Sequence, residues 1–336
     1  MKTFKYSIIL IAVFFIVTSI YIALLDGDYD IKQTRKMNIS SEVIFEHIND
    51  FKNWQHWGPW YELDPNIVAS FHEKTIGVGA TYNWTGKDGS GSMKTISLIE
   101  NKELIQEIDF ETGSTPEVYW ILNELERETE VTWGMRGKSS FAEKAYWLTQ
   151  GGIEKNLKPM YERGLELLEL HLIKEMDKHS FEFKGVVDHG GGFYLYQTST
   201  CNIEESDIKM KKMLNTVSSY INDNNIQSYG KPFLITHNWD EINKTTTFSI
   251  CFPINERLET NGAILIGYLK PQKTFKTVFK GDYKYSELAW NSAFKELSNQ
   301  GFKFIETSEP FEVYLVSPRD TSNPAHWVTE IYLPIE

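Results

Sequence analysis

The sequence predicts a mixed α+β protein in three parts. These are an N-terminal transmembrane helix, a domain with one antiparallel sheet and a long final helix, and a domain built from a duplicated β-α-β-β unit. Three observations support this prediction: an uncharged apolar run near the N-terminus, a series of strand-like runs that ends in an amphipathic helix, and a repeat with an offset of about eighty residues. We expect the helix in residues 1–28, the first domain in 29–173, a polar linker in 174–180 and the second domain in 181–336.

The N-terminal run from Tyr6 to Leu25 contains no charged residue and is rich in Ile, Leu, Val and Phe. About twenty residues at about 1.5 Å each span the hydrocarbon core of a bilayer. No small-x-small cleavage site follows the run, which favours an uncleaved single-pass anchor over a secretory signal. Lys2 and Lys5 precede the run, but Lys32, Arg35 and Lys36 follow it closely, so the count of Lys and Arg leaves both orientations open. Of the two, we expect a cytoplasmic N-terminus and soluble domains on the extracytoplasmic side.

The first domain opens with a predicted strand at Tyr29–Ile39 and a short helix capped by Ser40 or Ser41. An aromatic-rich segment follows, and then strand-like runs alternate with turn residues. The domain closes with an amphipathic helix that begins near Ile153 and carries Pro159. The predicted strands are Thr81–Trp84, Met93–Ile99, Leu104–Phe110, Val118–Leu125 and Glu130–Met135.

Two segments of this domain, Val43–Trp54 and the following Trp57-Gly-Pro-Trp60, resemble the START-like or SRPBCC superfamily in its polyketide-cyclase-like branch. The resemblance covers residues 30–172. It implies a helix-grip fold in which the sheet and the long helix enclose an apolar ligand cavity, and it makes Trp54, Trp57, Trp60 and Trp84 candidates for the cavity wall. We assign this domain no catalytic residues, because its histidines and acids show no metal-pair or acid–base spacing.

The second domain contains two copies of one pattern. The C-terminal strand Trp327–Glu336 repeats the strand Thr247–Ile254, and both close on Pro-Ile. Pro232-Phe233 is matched by Pro310-Phe311, and the helix-like run 206–220 is matched by 286–297. Two such units are too few for a solenoid, so we expect them to pack side by side with a pseudo-twofold groove between them.

Glu330 is the most informative residue of the C-terminal strand. With period-two alternation, Ile331, Leu333 and Ile335 point to one face and Glu330 and Tyr332 to the other. The first face requires a core. The second places a carboxylate among aromatic residues, which is either a solvated edge or the wall of a site for a cationic ligand.

Residues 181–336 resemble the GyrI-like effector-binding domain, which also forms the ligand-sensing half of AraC-type and MerR-type regulators. The resemblance rests on the duplication, on Tyr229-Gly-Lys-Pro-Phe233 and on both Pro-Ile strand ends. It implies an amphipathic and often cationic ligand in the groove between the two halves, with Glu330 as the acid. It also makes Tyr332, Tyr283, Tyr285, Trp290 and Trp327 candidate walls of the groove. The sequence contains no helix-turn-helix, so the transcriptional role of the regulators is not carried over.

Charge and motifs narrow the function further. The net charge of −12 and the pI near 5.3 argue against nucleic acid as a partner. The two cysteines and the spacing of the histidines suggest no metal site, and no cofactor motif is present. We therefore expect a membrane-anchored, non-enzymatic binder or sensor of small amphipathic molecules. The alternatives are a hydrolase or cyclase with Glu330 as general acid or base, and a structural or interaction protein without catalysis.

Overall fold

A computed structural model describes residues 2–87, 89–111, 113–260 and 262–336, with only the backbone described for residues 2 and 3. The chain divides into two compact units, residues 1–174 and 175–336. Each unit contains one antiparallel sheet, of seven strands in the first unit and eight in the second. The architecture is therefore α+β, as the sequence predicts.

The N-terminal helix α1 covers Lys2–Leu24, and its segment Phe4–Leu24 is long and apolar enough to cross a membrane. Most of its large apolar side chains are exposed. At its C-terminal end, the Lys144 ammonium donates to the carbonyl oxygens of Leu25 at 2.7 Å and Ala23 at 3.3 Å. A lysine at this end satisfies carbonyl groups that have no partner within the helix.

The sheet of the first unit has the strand order β1-β7-β6-β5-β4-β3-β2, and every pairing is antiparallel. Ser40 caps the first short helix, as predicted, by accepting a hydrogen bond from the Val43 amide. The predicted runs all appear as strands or helices with small shifts at their ends. The elements are β1 (Asp28–Met37), α2 (Ser41–Asn49), α3 (Trp60–Leu63), β2 (Val68–Phe71), β3 (Thr81–Gly86), β4 (Gly89–Ile99), β5 (Glu103–Asp109), β6 (Glu117–Glu124), β7 (Thr129–Lys138), α4 (Phe141–Thr149) and α5 (Ile153–Met176).

Helix α5 packs closely on the aromatic interior of this unit. A methyl group placed at Gly164 would lie 2.4 Å from the Trp133 ring, so only glycine allows this approach. Tyr161, one turn earlier, contacts the same ring edge-on at 4.6 Å. The helix runs through Pro159 without ending there.

The polar segment expected to form a linker at residues 174–180 is largely part of regular structure. Helix α5 continues to Met176, and the first strand of the second unit, β8, begins at Ser180. The polar residues Lys174 and Glu175 continue the helix. The burial of Leu172, one turn before the helix end, holds this last turn against the rest of the unit.

The second unit contains the predicted duplication. One copy is β9 (Gly192–Asn202), α6 (Ser206–Asp223), β10 (Phe233–Asp240) and β11 (Thr245–Ile254). The other copy is β13 (Gln272–Lys280), α7 (Ser286–Asn299), β14 (Phe311–Val316) and β15 (Val328–Pro334). One further strand precedes each copy, β8 (Ser180–His189) before the first and β12 (Leu265–Leu269) before the second. The strand order is β12-β9-β11-β10-β14-β15-β13-β8, which is symmetric about the junction of β10 and β14.

The additional strands are exchanged between the copies. Gly190 and Gly191 connect β8 to β9, but β8 pairs with β13 rather than with its chain neighbour β9. Strand β12 likewise pairs with β9 rather than with β13. The turn between β8 and β9 contacts the turn between β12 and β13. A methyl group placed at Gly191 would lie 2.1 Å from the Leu269 carbonyl oxygen. The sheet must therefore curl so that its two edges approach each other.

The two faces of this sheet are different. One face is covered by α6 and α7, whose buried residues include Val217 and Ala293. The other face is open and carries an aromatic cluster that includes Phe233, Phe311 and Tyr332. Side-chain alternation assigns neighbouring residues of each strand to opposite faces, and this alternation positions the two acids described next.

Candidate functional site

Glu330 lies on the open face, as the period-two alternation predicts, but it is already paired. The Lys276 ammonium donates to its Oε1 at 2.7 Å, and the Tyr332 hydroxyl donates to its Oε2 at 2.6 Å. The side chains of Lys276 and Glu330 are only 21% and 14% exposed. Each oxygen therefore already accepts one hydrogen bond from a neighbouring side chain.

Glu330 is part of the wall of a groove of about 190 Å³ on the open face. The stacked rings of Phe311 and Tyr332 form one wall, with centroids 4.8 Å apart and planes at 9°. The other lining residues combine aromatic rings with a few polar groups. They are His189, Gly191, Gly192, Phe193, Tyr194, Tyr229, Lys231, Phe233, Pro253, Leu269 and Val313.

His189 contributes a hydrogen-bond donor to this groove. Burial lowers the pKa of His189, the nearby positive charge of Lys276 lowers it further, and the Glu330 carboxylate acts in the opposite direction. Its Nδ1 accepts a hydrogen bond from the Gly191 amide at 3.2 Å. The neutral ring therefore carries its proton on Nε2, where it is available to a ligand.

A second acid, Glu312, lies on the opposite face of the sheet, toward α6 and α7. The Tyr314 hydroxyl donates to its Oε1 at 2.5 Å, and the Trp290 indole N–H donates to its Oε2 at 3.1 Å. The residue keeps partial solvent exposure, but burial raises the pKa of Glu312, and the two hydrogen bonds oppose this rise. The hydrogen-bond partners described for this carboxylate are neutral, unlike those of Glu330.

Aromatic rings surround Glu312. Tyr283 contacts Tyr314 edge-on at 5.8 Å, and Trp327 lies 4.9 Å from Tyr283. The sulfur of Met210, from α6, is 3.6 Å from the Tyr314 hydroxyl oxygen. Burial and the neighbouring Glu312 raise the pKa of Tyr314, so this hydroxyl remains a donor at neutral pH.

The aromatic residues that were predicted to line one groove around Glu330 lie at different places in the structure. Tyr332 lies beside Glu330, whereas Tyr283, Trp290 and Trp327 gather around Glu312 on the other face. The reason is that α7 covers that face, and odd-numbered residues of β15 point toward it. Tyr285 lies at neither acid: its hydroxyl donates to Asp177 at 2.7 Å, and its ring stacks on His179 at 3.8 Å.

The repeat itself contains the signal that points to Glu312. Aligning Pro232-Phe233 with Pro310-Phe311 places Leu234 opposite Glu312 one residue later. The two residues are in fact register partners across β10 and β14, at the junction of the copies. An acid at a position where the other copy has a core leucine is the pattern that would have identified this residue.

Three polar residues near the end of the open face form a hydrogen-bonded chain. Ser249 Oγ is 2.6 Å from His237 Nε2, and His237 Nδ1 is 2.5 Å from Glu309 Oε1. The three side chains are arranged like the nucleophile, base and acid of a catalytic triad. However, Ser249 is only 1% exposed and lies in the interior strand β11. Its backbone is used in strand pairing, so it offers no oxyanion-binding amides.

In the first unit, the tryptophans predicted to line a cavity pack against one another. Trp54 and Trp57 are buried in one cluster with Trp120 and Trp133, whose rings stack at 4.5 Å. Trp60 contacts three of these rings, and Trp84 instead contacts Tyr82 and Phe110. Within the described part of the chain, the indole N–H groups of Trp57, Trp120 and Trp133 and both amide atoms of Gln106 have no hydrogen-bond partner. Such buried groups cost free energy that a hydrogen-bonding guest would lower.

Residues 194–336 match the sequence profile of the GyrI-like small molecule binding domain. A small-molecule binding domain of this family is therefore present in the second unit, and both acids lie within it. No curated protein matches the chain. Similar solved structures include the C-terminal domain of EcmrR, at 16% identity and a TM-score of 0.41, over 47% of this chain and 98% of that chain.

Two further similar structures cover slightly smaller shares of this chain. A protein from Chromobacterium violaceum shows 12% identity and a TM-score of 0.34, over 43% of this chain and 96% of that chain. SAV2435 bound to tetraphenylphosphonium shows 12% identity and a TM-score of 0.34, over 46% of this chain and 94% of that chain. Among the described residues, no group of three His, Cys, Asp or Glu side chains could hold a metal ion.

Proposed function

We propose that the second unit binds amphipathic organic cations at Glu312. The observation that carries this proposal is a carboxylate that is largely removed from water, whose described hydrogen-bond partners are neutral, and which is walled by Trp290, Tyr314 and Tyr283. The profile match to a small molecule binding domain supports binding rather than turnover.

A cation is the ligand that this environment favours. A carboxylate removed from water loses hydration free energy, and a positive charge beside it restores part of that loss. Aromatic rings add a cation–π attraction of about 0.5 to 2 kcal/mol for each well-placed ring. Rings also bury the apolar part of an amphipathic ligand, which explains why an aromatic cation would bind better than a simple ammonium ion.

Glu330 is less suited to this role than the sequence alone suggests. Its charge is already neutralised by Lys276 at 2.7 Å, so a cationic ligand would have to displace that ammonium group. Releasing one partner of a largely buried ion pair leaves the other charge unpaired, which is costly. The comparison of the two acids therefore favours Glu312 as the cation site.

The test measures binding of tetraphenylphosphonium and tetraphenylborate, which match in size and shape but differ in charge, to the full chain in non-ionic detergent. We expect the cation to quench tryptophan fluorescence saturably, because Trp290 touches Glu312, and the anion to bind at least about tenfold more weakly. Glu312→Gln should lose this preference, and Glu309→Gln, which removes an exposed carboxylate three residues earlier, should keep it.

Two results would contradict the proposal. One is an equal affinity for the two ions in the wild-type protein after subtraction of binding to empty micelles. The other is a preference for the cation that survives in Glu312→Gln but disappears in Glu330→Gln, which would move the site to the open face.

We further propose that α1 anchors the protein in a membrane as a single-pass helix, with the two units on the extracytoplasmic side. The support is the length and apolar composition of Phe4–Leu24 and the exposure of its side chains. A helix that is predominantly apolar on all sides lacks the one-sided pattern of a helix that packs on a soluble core.

A further inference from the structure

We propose that the groove on the open face is a second ligand site, selective for small aromatic anions, and that Lys276 sets this selectivity by neutralising Glu330. The proposal concerns the face of the sheet opposite Glu312 and does not depend on cation binding there.

The charged side chains at the groove favour an anionic ligand. Glu330 is the only acid among the lining residues that the structure describes, and its partner Lys276 cancels it. Lys231, unlike Lys276, is itself one of the lining residues. Its ammonium lies 3.3 Å from Asp320, but these side chains are 46% and 40% exposed, so this pair at the rim is weak. The net charge offered to a ligand is therefore positive.

The groove also presents donors to an anionic group. The His189 ring is neutral with its proton on Nε2, as described above, and a nearby anion would also favour its protonation. The Tyr229 hydroxyl enters the groove beside Gly192, where a methyl group would lie 2.5 Å from the hydroxyl oxygen. The groups that face His189 are Lys276, Glu330 and Tyr332 from β13 and β15, and Phe311 from β14.

The apolar walls and the volume define the rest of the ligand. Phe233 lies 6.1 Å from Phe311 and 5.2 Å from Tyr194, so these rings extend the wall formed by Phe311 and Tyr332. A cavity of about 150 Å³ holds benzene in another protein. The volume of about 190 Å³ in this groove therefore suits one aromatic ring with one small polar substituent.

The experiment uses three probes of one shape and three charges: 4-fluorobenzoate, 4-fluorobenzamide and 4-fluorobenzamidinium. Their dissociation constants for the full chain in non-ionic detergent are measured by ligand-observed fluorine NMR, with empty micelles as the blank. We expect the benzoate to bind about tenfold more tightly than the benzamidinium, since one charge-assisted hydrogen bond contributes about that factor. Lys231→Met should weaken the benzoate and leave the benzamide unchanged.

Lys276→Met tests the selectivity directly. Removing the ammonium exposes the Glu330 charge to the groove, so the order of affinities should reverse in favour of the benzamidinium. Lys273→Met on the same strand removes an exposed ammonium and should leave the order unchanged. If Lys276→Met does not fold, the double variant Lys276→Met, Glu330→Gln removes both charges of the pair and leaves Lys231 in place, so it should keep the preference for benzoate over benzamidinium.

Four results would overturn the inference: none of the probes binds the wild type, the benzamidinium binds it as tightly as the benzoate, the order persists in a folded Lys276→Met variant, or the order is lost in the double variant. Glu312→Gln serves as a separate control. It should remove the preference for tetraphenylphosphonium over tetraphenylborate and leave the three fluorinated probes unaffected, so failure at one face is distinguishable from failure at the other.

Discussion

Glu312 and Leu234 occupy equivalent positions of the two copies and pair across the junction of β10 and β14. Leu234 is buried among apolar side chains of the first copy, whereas Glu312 has Tyr314 and Trp290 as partners. The acid at this position therefore places a polar centre on the helix-covered face of the sheet, where the first copy has a core leucine. Because it lies near the junction, this centre can draw on side chains from both copies, such as Met210 from α6 and Trp290 from α7.

The raised pKa of Glu312 makes stability depend on pH. The folded state holds the proton more tightly than the unfolded chain, so stability is lost as pH rises from the ordinary range of a glutamate through the raised pKa. Glu312→Gln keeps an acceptor for Tyr314 and removes the charge. At pH 7.5 we expect it to raise the melting temperature of the second unit, because burial disfavours the charged form of the wild-type carboxylate.

Below pH 4.5 the same substitution should have almost no effect, because wild-type Glu312 is then protonated as well. Thermal unfolding at the two pH values measures the difference. Glu309→Gln provides the matched control, with no pH-dependent stabilisation of this kind expected. A shift of equal size at both pH values would contradict the explanation by charge burial.

Residue-level prediction succeeded where it needed only local alternation. The face of Glu330 and the position of Tyr332 beside it follow from period two within one strand. The pairing of Glu330 with Lys276 could not be predicted, because it depends on the register between β13 and β15, which lie about fifty residues apart in sequence. For the same reason, the sequence did not show that Tyr283, Trp290 and Trp327 lie on the face of Glu312 rather than beside Glu330.

At the scale of elements, the offset of about eighty residues predicted each strand–helix–strand–strand copy, because matched Pro-Ile ends and matched helical runs are local signals. The exchange of β8 and β12 carries no such signal. A two-glycine turn between strands normally predicts a hairpin, and only the curl of the whole sheet brings β8 to β13 instead. Strand β12 has only five residues and contains Gly267 at its centre, so its strand signal is weak.

The exchanged strands predict how the chain behaves when it is cut between the copies. Residues 1–259 would lack the partner of β8, and residues 260–336 would lack the partner of β12. Each fragment should therefore expose unpaired strand edges and associate with the other when both are made in one cell. We expect the two fragments to copurify and to show a cooperative melting transition together.

A fragment pair that does not associate, although each piece is soluble alone, would show that the exchanged strands do not hold the copies together. The matched comparison is a cut chain in which Phe275→Asp disrupts the buried centre of β13. This change should prevent copurification, since a charge would replace a fully buried ring between β15 and β8.

At the scale of the whole molecule, α1 makes the location of the protein testable. We expect the full chain to remain in the membrane pellet after extraction at high pH, which removes proteins held only by surface contacts. A chain that lacks residues 2–24 should be released, because the remaining surface has no apolar segment of similar length among the described helices. Release of the full chain under the same conditions would contradict the anchor.

The position of β15 limits when the second unit can form during protein synthesis. This strand lies inside the sheet, between β14 and β13, although it ends at Pro334. The end of β8 is made about ninety residues before the end of β13, which corresponds to about 4.5 to 18 seconds at usual rates of translation. Throughout that interval β8 has no partner strand, and the sheet cannot close until the last strand has left the ribosome. The first unit contains all the partners of its own sheet and can fold before that point.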